Sequence, residues 1–340
     1  MSEGAEAKPE ALLAKEGPDV SVLIAAYNAT DSVHRAIDSA LDPSQGVRVE
    51  VIVADDASTD ATAETVAKRA ETEPRLTLLR LTENGGPGAA RRAALSAASG
   101  DWVAVLDADD VFLPGRLARL TTTAAERDLD LIIDNLALRD PADDPGSAPA
   151  ADLPSAFPLA RGECTAIDPH RFALNAIPGG RVNLGWSKPL IRRAFLTEHG
   201  VAWSDLRHGE DFLFAMEVLL AGARAALIGE PGYLYHLRRS RRSHARAAQS
   251  RTVTSLDDQL RVAQILSQHP EVAASPALAQ RFRALPGEIR AAGAVLEAMD
   301  RRAAGRQLAA AASLLGVLPR PLALARCLAA RFGPGSRRIR

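Results

Sequence analysis

The chain has 340 residues, 47% hydrophobic and 24% charged, with a formal net charge of −1. That balance fits a globular protein with a sizeable core and excludes a disordered chain. A near-neutral total gives no global field for nucleic acid, and two distant cysteines, Cys164 and Cys327, match no metal or redox spacing.

The polar, acidic start M-S-E-G-A-E-A-K-P-E lacks the blocks of a targeting peptide, so residues 1–18 are expected to be a disordered leader. V-S-V-L-I-A-A (20–26) then reads as a strand buried on both faces, as in a parallel sheet. Y-N-A-T-D-S leads into an amphipathic helix through about Leu41, with Thr30 to Ser32 as capping candidates. V-E-V-I-V-A (49–54) is the second strand, followed by D-D-A-S-T-D and a helix around 61–72. R-L-T-L-L-R-L (75–81) is the third, and N-G-G-P-G turns into a helix over 88–99. W-V-A-V-L (102–106) is the fourth, followed by a helix from Pro114 and a further strand at D-L-I-I-D (130–134).

Strands alternating with helices at this spacing predict βαβ units and a mostly parallel α/β sheet. Ligands of such sheets sit beyond the carboxyl ends of the strands. The polar clusters Tyr27-Asn28, Asp55-Asp56, Asn84-Gly85-Gly86 and Asp107-Ala-Asp-Asp110 all fall at that edge. Residues 140–158 carry five prolines and are expected to be a flexible loop. The pattern turns helical at D-F-L-F-A-M-E-V-L-L-A-G (211–222) and over 255–318. Residues 281–340 hold twelve arginines and three acids, a net +9 that leaves −10 for the remainder. Such a tail suits an anionic membrane surface or a solvated helical appendage about equally, and its longest run free of charge and proline, Leu308 to Leu318, is too short to span a bilayer.

Three carboxylates crowded at a strand end repel one another and resist burial unless something compensates them. D-x-D after a strand is commonly mere capping. Its functional meaning is a hard cation, Mn²⁺ or Mg²⁺, held by one or two carboxylates and the phosphates of a substrate. Asp55-Asp56 caps a helix or accepts the N–H and O–H donors of a nucleoside, against which Tyr27 offers a ring face. E-N-G-G-P-G-A-A-R-R allows close backbone approach, with Arg91 or Arg92 placed for phosphate. It matches neither a dinucleotide fingerprint nor a P-loop. Glu210-Asp211 either complements a helix dipole or supplies a general base.

Taken together, V-S-V-L-I-A-A-Y-N, V-I-V-A-D-D-A-S-T-D-A-T, N-G-G-P-G-A-A-R, V-L-D-A-D-D and H-G-E-D-F-L resemble, in order, family 2 inverting glycosyltransferases of the GT-A fold. The likeness covers about residues 19–240. I-I-D-N-L (132–136), G-W-S-K-P-L-I-R-R-A-F-L (185–196) and G-Y-L-Y-H-L-R (232–238) are more narrowly similar to succinoglycan-type glucosyltransferases of exopolysaccharide assembly.

The resemblance implies a GT-A domain over 19–250, with a nucleotide-sugar half at 19–136, an acceptor and base half at 159–250, and a helical extension at 251–340. It implies that Asp55 and Asp56 contact uridine in a pocket lined by Ala25 and Tyr27. Asp107 would lie near the ribose, Arg91 and Glu210 beside the nucleotide sugar, and Asp109 on the metal with Asp110 in support. Asp211 would be the catalytic base. Arg92 replaces the family's usual Asn, and R-R-S-R-R-S-H (238–244) is more basic than usual. His236 and His244 are further metal-ligand candidates, although a surface histidine is the commoner reading.

The expected activity is transfer of a hexose, glucose by the narrower resemblance, from a UDP-sugar to a lipid-linked saccharide. The expected place is the cytoplasmic face of the membrane. Two rivals are a non-catalytic sugar-nucleotide sensor on the same fold and a haloacid-dehalogenase-like phosphatase reading D-A-D-D-V as its nucleophile motif. The second expects that motif on the first strand, whereas three strands precede it here.

Overall fold

The computed structural model describes residues 17–139, 153–174, 184–236 and 253–303. Val20–Ala26 (β1), Val49–Asp55 (β2), Leu76–Arg80 (β3) and Trp102–Asp107 (β4) pair in parallel in the order β3-β2-β1-β4. Helices Val33–Leu41 (α1), Thr62–Ala70 (α2) and Pro87–Ala97 (α3) alternate with them. β1 and β4 are apolar almost throughout because helices cover both faces, so Val22, Leu23, Ile24, Val103 and Leu106 are all buried. Parallel register then fixes what stands side by side. Ala25 lies between Ala54 and Asp107, and Ala26 lies beside Asp55.

The sheet continues through elements that periodicity does not reveal. Val111–Phe112 (β5) precedes Arg116–Glu126 (α4), which starts two residues after Pro114 because Gly115 sits in the left-handed region at φ 72°. Leu131–Arg139 (β6) is longer than the strand expected at 130–134. Cys164–Ile167 (β7) and Pro169–Ala173 (α5) lead to Leu190–Arg192 (β8), Arg193–His199 (α6), Glu210–Leu220 (α7) and Ala225–His236 (β9). β8 wedges antiparallel between β4 and β6; β9 runs parallel to β6 and antiparallel to β5 and β7.

The antiparallel wedge matters for the site. Trp102 pairs with Arg192 and Ala104 with Leu190, so the chain entering β8 passes the carboxyl end of β4. Lys188 is thereby brought to Asp107.

Val253–Gln268 (α8), Pro270–Ala274 (α9) and Pro276–Ala303 (α10) follow. Val262, Leu266, Phe282, Leu285 and Ile289 are buried in the same core as the sheet. Arg281 donates to the Ala173 carbonyl at 3.1 Å and to Glu288 at 2.8 Å. No described helix is long and apolar enough to cross a membrane. The leader through residue 16, most of the proline-rich segment, the basic stretch with His244 and the chain after 303 lie outside the described residues.

Candidate active site

The loops after β1 and β2 build one wall. Asn28 and Ala57 hold φ near 50° and 54°, an uncommon conformation for non-glycine residues. Asn28 N–H donates to Ser58 Oγ at 3.0 Å and Thr59 N–H donates to Asn28 Oδ1 at 2.8 Å, lacing the two loops together. Tyr27 is 49% exposed between them. Asp55 Oδ2 accepts from Ser58 N–H at 3.1 Å, while its Oδ1 is buried with no hydrogen-bond partner among the described residues. Such an orphaned oxygen is costly unless a ligand donor meets it.

Asp56 has a different task. Its two oxygens accept from Gly85 N–H at 2.8 Å and Gly86 N–H at 2.9 Å, shaping the turn into α3. Burial pushes its carboxyl up, against the pull of those two amides. Asn84 Nδ2 donates to the Asp56 carbonyl at 3.1 Å, and Arg207 reaches Asn84 twice, at 2.6 Å each.

The turn from Asp107 to Asp110 is pinned by β9. Tyr233 Oη accepts from Asp107 N–H at 3.0 Å and donates to Asp110 Oδ2 at 2.9 Å. His236 N–H donates to Asp110 Oδ1 at 2.8 Å. Asp110 is therefore buried and committed. Burial raises its carboxyl, with Asp107 and Asp109 adding to the shift. The same burial and neighbouring acids push the Tyr233 hydroxyl well up, so it stays a donor.

Three acids and two bases close a ring at the centre. Arg91, on α3, donates to Asp107 Oδ1 at 2.7 Å, to Asp211 Oδ1 at 2.7 Å and to Glu210 Oε1 at 3.0 Å. Lys188 Nζ lies 2.9 Å from Asp107 Oδ2 and 3.0 Å from Asp211 Oδ2. Trp203 Nε1 donates to Asp211 Oδ1 at 3.3 Å. Arg91 and Lys188 side chains are only 5% and 6% exposed; Asp107 and Asp211 keep 25% and 19%. The carboxylates thus look out of a floor made by the cations.

The electrostatics follow from that burial. Desolvation alone would raise Asp107, yet Lys188 and Arg91 hold it well below the usual carboxylate range. Burial opposes charge on Lys188 and Arg91 too, but the surrounding acids keep both firmly protonated. Glu210 lacks a second cation. Burial first, then the charge of Asp211, push it up to about 7.

A further layer positions Lys188. Arg116 and Asp134 form a fully buried pair at 2.9 and 2.8 Å, and Arg116 Nη2 also donates to the Lys188 carbonyl at 2.5 Å. The Arg116 guanidinium lies 4.4 Å from the Phe112 ring centroid.

Each candidate residue thus has a defined place. Ala25, Tyr27, Asp55 and Asp107 share the carboxyl edge, and Asp211 and Glu210 face Asp107 from α7. Arg91, expected beside the nucleotide sugar, is the hub of the ion-pair ring. Arg92, expected near phosphate, donates to the Trp203 carbonyl at 3.1 Å and pairs with Asp205 at 2.5 Å. Sequence reasoning missed Lys188 and Tyr233, although both sit inside motifs it quoted, G-W-S-K and G-Y-L-Y. It also missed Trp203.

Among the described residues, no three His, Cys, Asp or Glu side chains group as a metal cage. Asp107 and Asp110 already accept donors on both oxygens. Asp109 and the His236 imidazole are the other ligand types at this turn; among the described residues His236 Nδ1 is buried without a hydrogen-bond partner, 3.5 Å from Asp110. These residues fit a hard cation that takes few protein ligands and completes its shell on phosphate oxygens.

Comparison with known proteins accords with this arrangement. The profile of glycosyl transferase family 2 matches residues 21–162. The succinoglycan biosynthesis proteins ExoO and ExoU of Rhizobium meliloti (strain 1021) are 39% and 36% identical over 224 residues. Those matches cover 65% and 63% of this chain and 61% of each relative, so the chain spans under two thirds of their length. S. aureus TarS 1–349 in complex with UDP-GlcNAc superposes with a TM-score of 0.59 at 20% identity, over 90% of this chain and 83% of that one. The mannosyltransferase PcManGT from Pyrobaculum calidifontis, with GDP-Man and Mn²⁺, does so at 0.54 and 20%, over 92% and 80%. The fold is the GT-A arrangement expected from the sequence. The chain carries a glycosyl transferase family 2 domain over residues 21–162.

Proposed function

We propose that the chain is an inverting hexosyltransferase that takes its sugar from a UDP-sugar and serves exopolysaccharide assembly. The observation that carries this reading is the ring in which Asp107, on the nucleotide edge, and Asp211, from the second half, share Arg91 and Lys188. In this reading the Asp211 carboxylate stands beside the edge where β1, β2 and β4 would hold a nucleoside diphosphate.

Asp55 Oδ1 is a ready acceptor for the uracil imide N–H, and Tyr27 supplies a ring face for the base. Among the described residues Asp211 Oδ2 accepts from Lys188 alone, which leaves a second lone pair for an acceptor hydroxyl. Asp211 removes that proton as the hydroxyl oxygen attacks the anomeric carbon opposite the departing diphosphate, which inverts configuration. General-base assistance of this kind contributes on the order of 10²–10⁴-fold. Asp109 and His236 would hold Mn²⁺ or Mg²⁺, whose chemistry is to neutralise charge on the leaving diphosphate.

The acceptor in this reading is a lipid-linked saccharide at the cytoplasmic membrane face, with the arginine-rich C-terminal segment near anionic lipid. Relatedness to the two succinoglycan biosynthesis proteins supports the pathway class. The test is UDP release from a panel of UDP-sugars, with and without Mn²⁺ and with lipid-linked saccharide. Release stimulated by acceptor supports the reading. Release from none of them removes it.

A further inference from the structure

Lys188 is buried to 6% exposure, yet its ammonium reaches carboxylates from both halves of the chain. A lysine placed only for solubility would snorkel outward. Here its carbonyl is fastened by Arg116, which is itself held by Asp134 in a fully buried pair. Three buried residues are thus spent on placing one ammonium between Asp107 and Asp211. Buried charge is expensive to place, and a well-packed apolar replacement is often no less stable. Stability alone is therefore a weak account of it.

We propose that Lys188 is a positioning residue for the transfer reaction: its ammonium fixes the orientation of the base Asp211 toward the acceptor while tying it to the carboxyl end of β4 through Asp107. This rests on the glycosyltransferase reading above. Around Asp211 stand Arg91 from α3 and Lys188 from the entry to β8, each shared with Asp107 of β4, and Glu210 on its own helix, which meets the same Arg91. Removing Lys188 leaves Arg91 shared among three acids. Asp211 Oδ2 then loses the ammonium 3.0 Å away that fixes it, and the link from Asp211 to Asp107 through Lys188 is gone.

The experiment compares wild type, K188M and K188A in UDP release from the UDP-sugar that wild type turns over best, with UDP affinity measured by calorimetry. K188M is expected to lower kcat on the order of 10²-fold. UDP affinity is expected to stay within about threefold, a difference under ~0.7 kcal/mol. Ethylammonium, which fits the space left in K188A, should restore part of the rate. K188M with unchanged kcat overturns the inference, and so does a lower kcat in K188A that the amine does not rescue. A tenfold loss of UDP affinity also overturns it, because Lys188 would then serve the nucleotide. Wild type that releases UDP from no sugar donor overturns the transferase reading and this inference with it.

Discussion

Asp107 and Asp211 lie on different halves of the chain, yet each gives one oxygen to the Arg91 guanidinium and the other to the Lys188 ammonium. The carboxyl end of β4 and the proposed base are therefore joined through two shared cations.

Asp211→Asn keeps size and most hydrogen bonding but cannot accept a proton. Transfer should fall 10²–10⁴-fold while UDP affinity stays near wild type. Near-normal UDP release by this variant in the presence of acceptor would sink the assignment of the base.

Arg91→Met leaves Asp107, Glu210 and Asp211 with one ammonium between them in a buried setting. Breaking a buried pair in this way costs about 3–5 kcal/mol. Arg91→Lys should not restore stability, because one ammonium cannot reproduce a fork that reaches three carboxylates. Urea melts of both variants decide this.

Glu210 is pushed up to about 7 from an ordinary value of 4.5, by burial and then by Asp211. Between those values the folded chain holds a proton that the unfolded chain has lost. Stability contributed at this position therefore declines as pH rises from about 4.5 to 7. Glu210→Gln removes the titration, so its melting temperature should gain on wild type between pH 5 and pH 8. A constant gap across that range would contradict the account.

Tyr233→Phe removes a hydroxyl that accepts from Asp107 N–H and donates to Asp110. A buried carboxyl losing its donor costs about 1–3 kcal/mol. The turn between the two acids should loosen, seen as a lower melting temperature together with slower UDP release. If only stability changes, the turn is not part of the catalytic geometry.

Gly88→Ala tests how closely the second half packs on α3. The added methyl would meet the Ser204 carbonyl at 2.1 Å, which is backbone and cannot swing aside. Overpacking of this kind costs about 1–3 kcal/mol. The displaced segment includes Trp203, whose indole N–H reaches Asp211, so kcat should fall more than UDP affinity.

The first half of the chain, through β4, was legible in the sequence because its information is local. Apolar runs in V-S-V-L-I-A-A and W-V-A-V-L demand burial on both faces, and parallel βαβ winding then sends Tyr27, Asp55 and Asp107 to one edge. The motif order also carried the family. What tertiary structure alone decided is who partners whom. β8 is three residues long and carries no periodic signal, yet its antiparallel entry beside β4 is what delivers Lys188 to Asp107. Arg91 lies in a stretch that suggested phosphate binding, and only the approach of α7 turns it into the hub for Glu210 and Asp211. Asp55 and Asp56 are adjacent and identical in type, but one keeps an orphaned oxygen while the other spends both on Gly85 and Gly86. Residue type sets what a side chain is able to do; the long-range packing that surrounds it with charge and removes water selects which of those things it does.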